Sequence, residues 1–192
     1  MNKTRLEAFS DAVIAIIMTI MVLELKIPHG ADFEALKPLL PIFLAYVLSF
    51  IYLGIYWNNH HHMLQATRKV NGKVLWANLL LLFWLSMIPF ATGWMGENHF
   101  EPLPTAVYGV VLLLSGCAYT ILQNKLVHHT EGENALLGEA VGRDIKGKLS
   151  LVFYLLAIGL AFVNQHISQI IYAAVALMWF IPDRRIERVM NK

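Results

Sequence analysis

Four long stretches of this chain carry apolar side chains almost without interruption, and their lengths decide what they are. Residues 39–57 run 19 residues without a charge, while 74–96 and 102–124 run 23 each. A helix rises 1.5 Å per residue, so about 20 residues cross the roughly 30 Å hydrocarbon core of a bilayer. Each of these three spans once. Residues 149–182 hold no charge across 34 residues, which as one helix would reach about 51 Å. That is too long for one crossing, and the polar group Asn164, Gln165 and His166 at its middle marks a fold-back. A shorter apolar stretch, 12–23, lies between Asp11 and Glu24, and crosses only by taking in Phe9, Ser10, Asp11 and Glu24. The pattern predicts an all-α, polytopic membrane protein of six transmembrane helices over about 6–27, 38–63, 74–95, 103–125, 148–164 and 167–183. They form one domain, 1–192, with no internal repeat and no linker. Pro28 stops the first helix, and Pro89 inside the third removes a backbone bond and predicts a kink.

Composition agrees with lipid as the main solvent: 57% of residues are hydrophobic and 15% charged, too few charges for the surface of a soluble domain. The net charge is +2 and the basic residues are scattered through loops, so nucleic-acid binding has no support. One cysteine, Cys117, allows no intramolecular disulfide and no cysteine-built metal site. Lys3 and Arg5 ahead of an apolar stretch have the outline of a secretory leader. The flanking acids and the lack of a small-residue cleavage site predict a retained helix instead. Lys and Arg accumulate on the cytoplasmic side of membrane proteins. With the N-terminus inside, Lys3, Arg5, Arg68, Lys69, Lys73, Lys125, Arg143, Lys146, Lys148, Arg184, Arg185, Arg188 and Lys192 all fall on that side, leaving Lys26 and Lys37 opposite. Both termini are thus expected in the cytoplasm of a cell-membrane protein.

Ionisable residues inside a membrane helix are costly and mark candidates for function. On a helical wheel Phe9, Ala12, Ile16, Ile20, Leu23 and Ile27 fall on one narrow arc with Thr19 at its edge, and Asp11 lies nearly opposite. Periodicity leaves two readings of that arc: a lipid-facing stripe, or the wall of a pore. Thr19 has two readings as well, a ring of hydroxyls facing permeant cations or a hydroxyl bonded back to the carbonyl at position 15. Glu24 either concentrates cations at a mouth or pairs with a neighbouring subunit.

The stretch 5–16, Arg-Leu-Glu-Ala-Phe-Ser-Asp-Ala-Val-Ile-Ala-Ile, resembles the R-x-x-x-F-S-D signature that opens the transmembrane protein 175 family of potassium channels. Trp57-Asn-Asn-His60-His61 resembles its W-x-x-H-H pattern, with Leu64 where Phe is expected, and 78–90 resembles its leucine-rich stretch ending in Pro-Phe. The match covers three helices closely and the last three in number, length and placement. The resemblance implies a homotetramer around one central pore lined by the first helix of each subunit, conducting potassium and related monovalent cations through the lipid bilayer. It implies a single six-helix repeat of the prokaryotic type, so four copies are needed. It places an apolar constriction at Ile16, Ile20 and Leu23, with Thr19 as a polar ring candidate, and gives potassium as the permeant ion with no cofactor and no enzyme activity. Arg5, Phe9, Ser10 and Asp11 are then assigned to holding the first helix against Trp57, His60 and His61. No T-V-G-Y-G loop is present, so ring coordination of a dehydrated ion by carbonyls has no candidate.

Two other constellations compete. His60, His61 and His62 suggest a metal site, but neighbouring helical residues diverge by about 100°, and H-E-x-x-H is absent. The break at Pro89 is of a kind transporters use at binding sites, yet no inverted repeat accompanies it. The reading is a potassium-selective cation channel constricted or gated by hydrophobic rings; the alternative is a secondary transporter or proton-linked cation carrier.

Overall fold

The computed structural model describes residues 3–67, 70–128 and 144–180. Seven of the basic residues used above to orient the chain, Arg68, Lys69, Arg143, Arg184, Arg185, Arg188 and Lys192, lie outside them, as do 181–183 at the end of the sixth expected span. Every regular element among the described residues is helical. Hydrocarbon offers no partner for a bare amide, and a helix satisfies its amides internally.

Helix α1 spans Lys3–Ile20 and tightens into a 3-10 turn at Met21–Glu24. It therefore ends as an α-helix seven residues before the expected position 27, and Leu25 is already extended. A 3-10 segment, Phe33–Leu39, leads into α2, Leu40–Gln65. The Asp32 side chain caps that entry by accepting from Ala35 N at 3.0 Å. Helices α3, Gly72–Ser86, and α4, Ile88–Glu97, together make the third crossing. The join falls at Met87, two residues before Pro89, because proline offers no N–H to the carbonyl four residues back. Hydroxyls occupy carbonyls around the break: Ser86 Oγ donates to Phe83 O at 2.7 Å and Thr92 Oγ1 to Ile88 O at 2.7 Å.

Helix α5 covers Pro102–His128, α6 Ile145–Leu160 and α7 Gln165–Phe180. Lys3–Glu24, Phe33–Gln65, Gly72–Glu97 and Pro102–Val127 are each long and apolar enough to cross a membrane. The last two helices, 16 residues each, reach about 24 Å and form a hairpin. Asn164 Oδ1 accepts from His166 N at 3.0 Å in its turn.

Helix α5 is the axis of the bundle, packing on α3, α4, α6 and α7. Close approach there needs residues without side chains: a Cβ at Gly109 would collide with the Tyr172 hydroxyl, and one at Gly116 would lie 3.0 Å from Leu151. Tyr52, Tyr108, Tyr154 and Tyr172 fill the interior, and the Tyr52 hydroxyl donates to Tyr172 O at 2.6 Å. Helix α1 lies at the rim on α2 and α3. Of the most apolar part of the first span 28% is buried, against 56% for the fourth. One face of α1 thus has no cover among the described residues.

Candidate functional site: an uncovered helix face and its anchor

The two faces of α1 separate by spacing. Leu6, Ile14, Ile17 and Met21 are buried against the bundle. On the other face Phe9, Ile16, Ile20 and Leu23 are 50%, 56%, 42% and 78% exposed. Leu23 stays in line with Ile20 although the α-helix has ended, because residues three apart eclipse in a 3-10 turn. The Thr19 hydroxyl sits on this exposed side and donates to Ile16 O at 2.8 Å. The back-bond therefore reaches position 16, not 15.

Holding α1 in place is a problem of polar contacts. Lipid tails are as apolar as leucine, so burying Ile14 or Ile17 gains packing but no expulsion of water. Four contacts fasten the buried side. Ser10 Oγ, fully buried, donates to Leu6 O at 2.9 Å in its own helix. It then accepts from Asn78 Nδ2 of α3 at 2.9 Å. That fixes the Asn78 amide with Oδ1 toward His60 Nε2 of α2, 2.7 Å away, so Nε2 carries the proton. Three helices share this one buried chain, in which Ser10, Asn78 and His60 are each 0% exposed. Beside it Trp57 Nε1 donates to Asp11 Oδ1 at 3.1 Å, and Trp57 stacks on His61 at 5.9 Å. His61 Nδ1 lies 3.3 Å from Glu7 Oε1, an ion pair whenever the ring is protonated. At the helix start, Lys3 Nζ donates to Gln65 O at 3.1 Å, placing a cation on the C-terminal carbonyls of α2.

The structure redistributes the expected group. Ser10, Asp11, Trp57, His60 and His61 do join α1 to its neighbours. Arg5 and Phe9 are on the exposed face instead, since positions 5, 9, 12 and 16 line one side of a helix. Among the described residues Arg5 makes no hydrogen bond or ion pair. Two members were not anticipated, Asn78 and Glu7. Asn78 had a visible signal, the lone amide inside the apolar run 74–85. Three His, Cys, Asp or Glu side chains placed to hold a metal ion do not occur among the described residues.

Helices of this length and apolarity, one of them fastened by polar bonds from behind and bare in front, define a multi-pass membrane protein. A potassium channel of Chryseobacterium sp. (strain P1-3) is 55% identical over the whole of both chains. One from Streptomyces collinus is 30% identical, covering 93% of this chain and 92% of that one. The Gallus gallus endosomal/lysosomal proton channel TMEM175 is 33% identical over 68% of this chain, which spans 30% of that protein. The family model described as endosomal/lysosomal potassium channel TMEM175 matches residues 5–89, the stretch that contains every anchoring residue from Glu7 to Asn78 but not Lys3. The fold is also that of the crystal structure of a lysosomal potassium-selective channel TMEM175 homolog from Chamaesiphon minutus. It has a TM-score of 0.76 over 94% of this chain and 97% of that chain at 23% identity. The chain belongs to the TMEM175 family, a family of channels and not of enzymes.

Proposed function

We propose that the protein is a potassium-favouring cation channel of the cell membrane, assembled as a homotetramer with α1 of each subunit lining one central pore and both termini cytoplasmic. The observation that carries this reading is the bare face of α1. It presents Ile16, Ile20 and Leu23 in register away from the bundle, while every anchoring bond lies on the other side. Four such faces around an axis form stacked apolar rings. A ring of this kind closes by dewetting, because an ion cannot shed its water where no ligand replaces it. Thr19 then adds a hydroxyl on the exposed side between two of the rings. The anchor through Ser10, Asn78, His60, Asp11 and Trp57 holds each α1 at a fixed rotation, so that the rings stay in register. Preference for potassium is supported by the naming of the 55% identical relative.

The test is flux from potassium-loaded liposomes diluted into sodium, with a proton ionophore and a dye reporting charge movement. Fast uncoupled flux is expected. Flux that needs a proton or counter-ion gradient would sink the channel reading in favour of a carrier. A native mass of four subunits is expected from detergent micelles.

A further inference from the structure

We propose that the groove between the end of α1 and α4 is a binding site for a soluble organic ammonium ion. The groove holds about 560 Å³ and is lined by Ile20, Glu24, Phe90, Gly93, Trp94 and Glu97, within the range of small-molecule sites. Its chemistry is that of cation recognition. Gly93 leaves room for the Glu24 carboxylate, which lies 2.9 Å from where a Cβ on Gly93 would stand. Phe90, 58% exposed, stacks on Trp94 with centroids 6.2 Å apart, giving a broad aromatic wall one turn from Glu97. The cations at this end of the bundle are already engaged: Lys26 Nζ lies 2.7 Å from Glu97 Oε1, and Lys37 Nζ 2.6 Å from Glu34 Oε1. Among the described residues Glu24 makes no hydrogen bond or ion pair.

An unpaired carboxylate beside two aromatic faces suits a weakly hydrated ammonium with an apolar body. A quaternary ammonium keeps its attraction to aromatic faces when it gives up water. A bare alkali cation would need several oxygen ligands in place of its water, and the groove offers one free carboxylate. The site shares Ile20 with the stripe of Ile16, Ile20 and Leu23 and extends from it toward α4, at the end of α1 opposite Lys3.

The probe is benzyltrimethylammonium chloride, titrated at low ionic strength onto the full chain in lipid nanodiscs and followed by calorimetry. Saturable binding is expected. Glu24→Gln should weaken it at least about fivefold through loss of the charge, and Trp94→Leu about two- to fivefold through loss of a cation–π partner. Lys26→Gln should tighten it about threefold by freeing the Glu97 carboxylate, a gain that a folding defect cannot produce. Absence of saturable binding, including absence because a neighbouring copy covers the groove, would overturn the proposal. So would equal affinity in Glu24→Gln, or weaker binding in Lys26→Gln. Binding is read without flux, so its failure leaves the channel reading standing.

Discussion

Replacing Asn78 by alanine removes the middle of a three-helix chain of hydrogen bonds. His60 Nε2–H loses its acceptor at 2.7 Å, and Ser10 Oγ loses a donor at 2.9 Å while still donating to Leu6 O. The damage is therefore concentrated on one buried donor. Leaving such a group unpaired costs about 1–3 kcal/mol, and a lost interhelical bond inside a membrane averages about 0.6 kcal/mol. Asn78→Ala should thus destabilise the fold by about 2 kcal/mol. Removing both ends of the pair removes the orphan. Asn78→Leu with His60→Leu should cost at least about 1 kcal/mol less than the sum of the two single changes. The assay is reversible unfolding by sodium dodecyl sulfate in mixed micelles, followed by helical circular dichroism. A cost below about 0.5 kcal/mol for Asn78→Ala, or strict additivity in the double variant, would refute the idea that this chain fastens α1.

Ile16→Asn hydrates the narrow part of the proposed pore and should raise current while loosening ion preference; unchanged conductance in planar bilayers would take Ile16 out of the pore. Asp11→Ala deprives the Trp57 indole N–H of its acceptor, at about 1 kcal/mol. It should lower tetramer yield on size exclusion more than it alters permeation, and a fully assembled tetramer with altered ion preference would contradict the anchoring role. Gly96→Ala places a Cβ 2.5 Å from the Ile42 Cα, a clash with backbone that should cost about 1–3 kcal/mol. Gly54, with open space around its missing Cβ, is the control: Gly54→Ala in the middle of α2 should stabilise by about 0.5–1 kcal/mol in the same detergent titration.

Much of this architecture is local and was legible in the residues. Uncharged runs of 19 to 34 residues dictate crossings because hydrocarbon forces every amide to bond within its own helix. The turn at Asn164 and the break before Pro89 follow from residue chemistry as well: a side-chain acceptor for a turn amide in one case, a missing N–H in the other. The apolar stripe through Ile16, Ile20 and Leu23 follows from spacing, and survives the change to a 3-10 turn only because residues three apart eclipse there. The partners across helices are different in kind. Nothing along the chain says that Asn78 stands between Ser10 and His60, that Glu7 meets His61, or that Glu24 settles against Gly93. Those pairings join residues 18 to 69 positions apart, and they depend on how each helix is rotated and how far it slides along its neighbour. Rotation and slide are set by the packing of all the helices at once, so only the assembled bundle decides which polar groups meet, and which face of α1 is left bare.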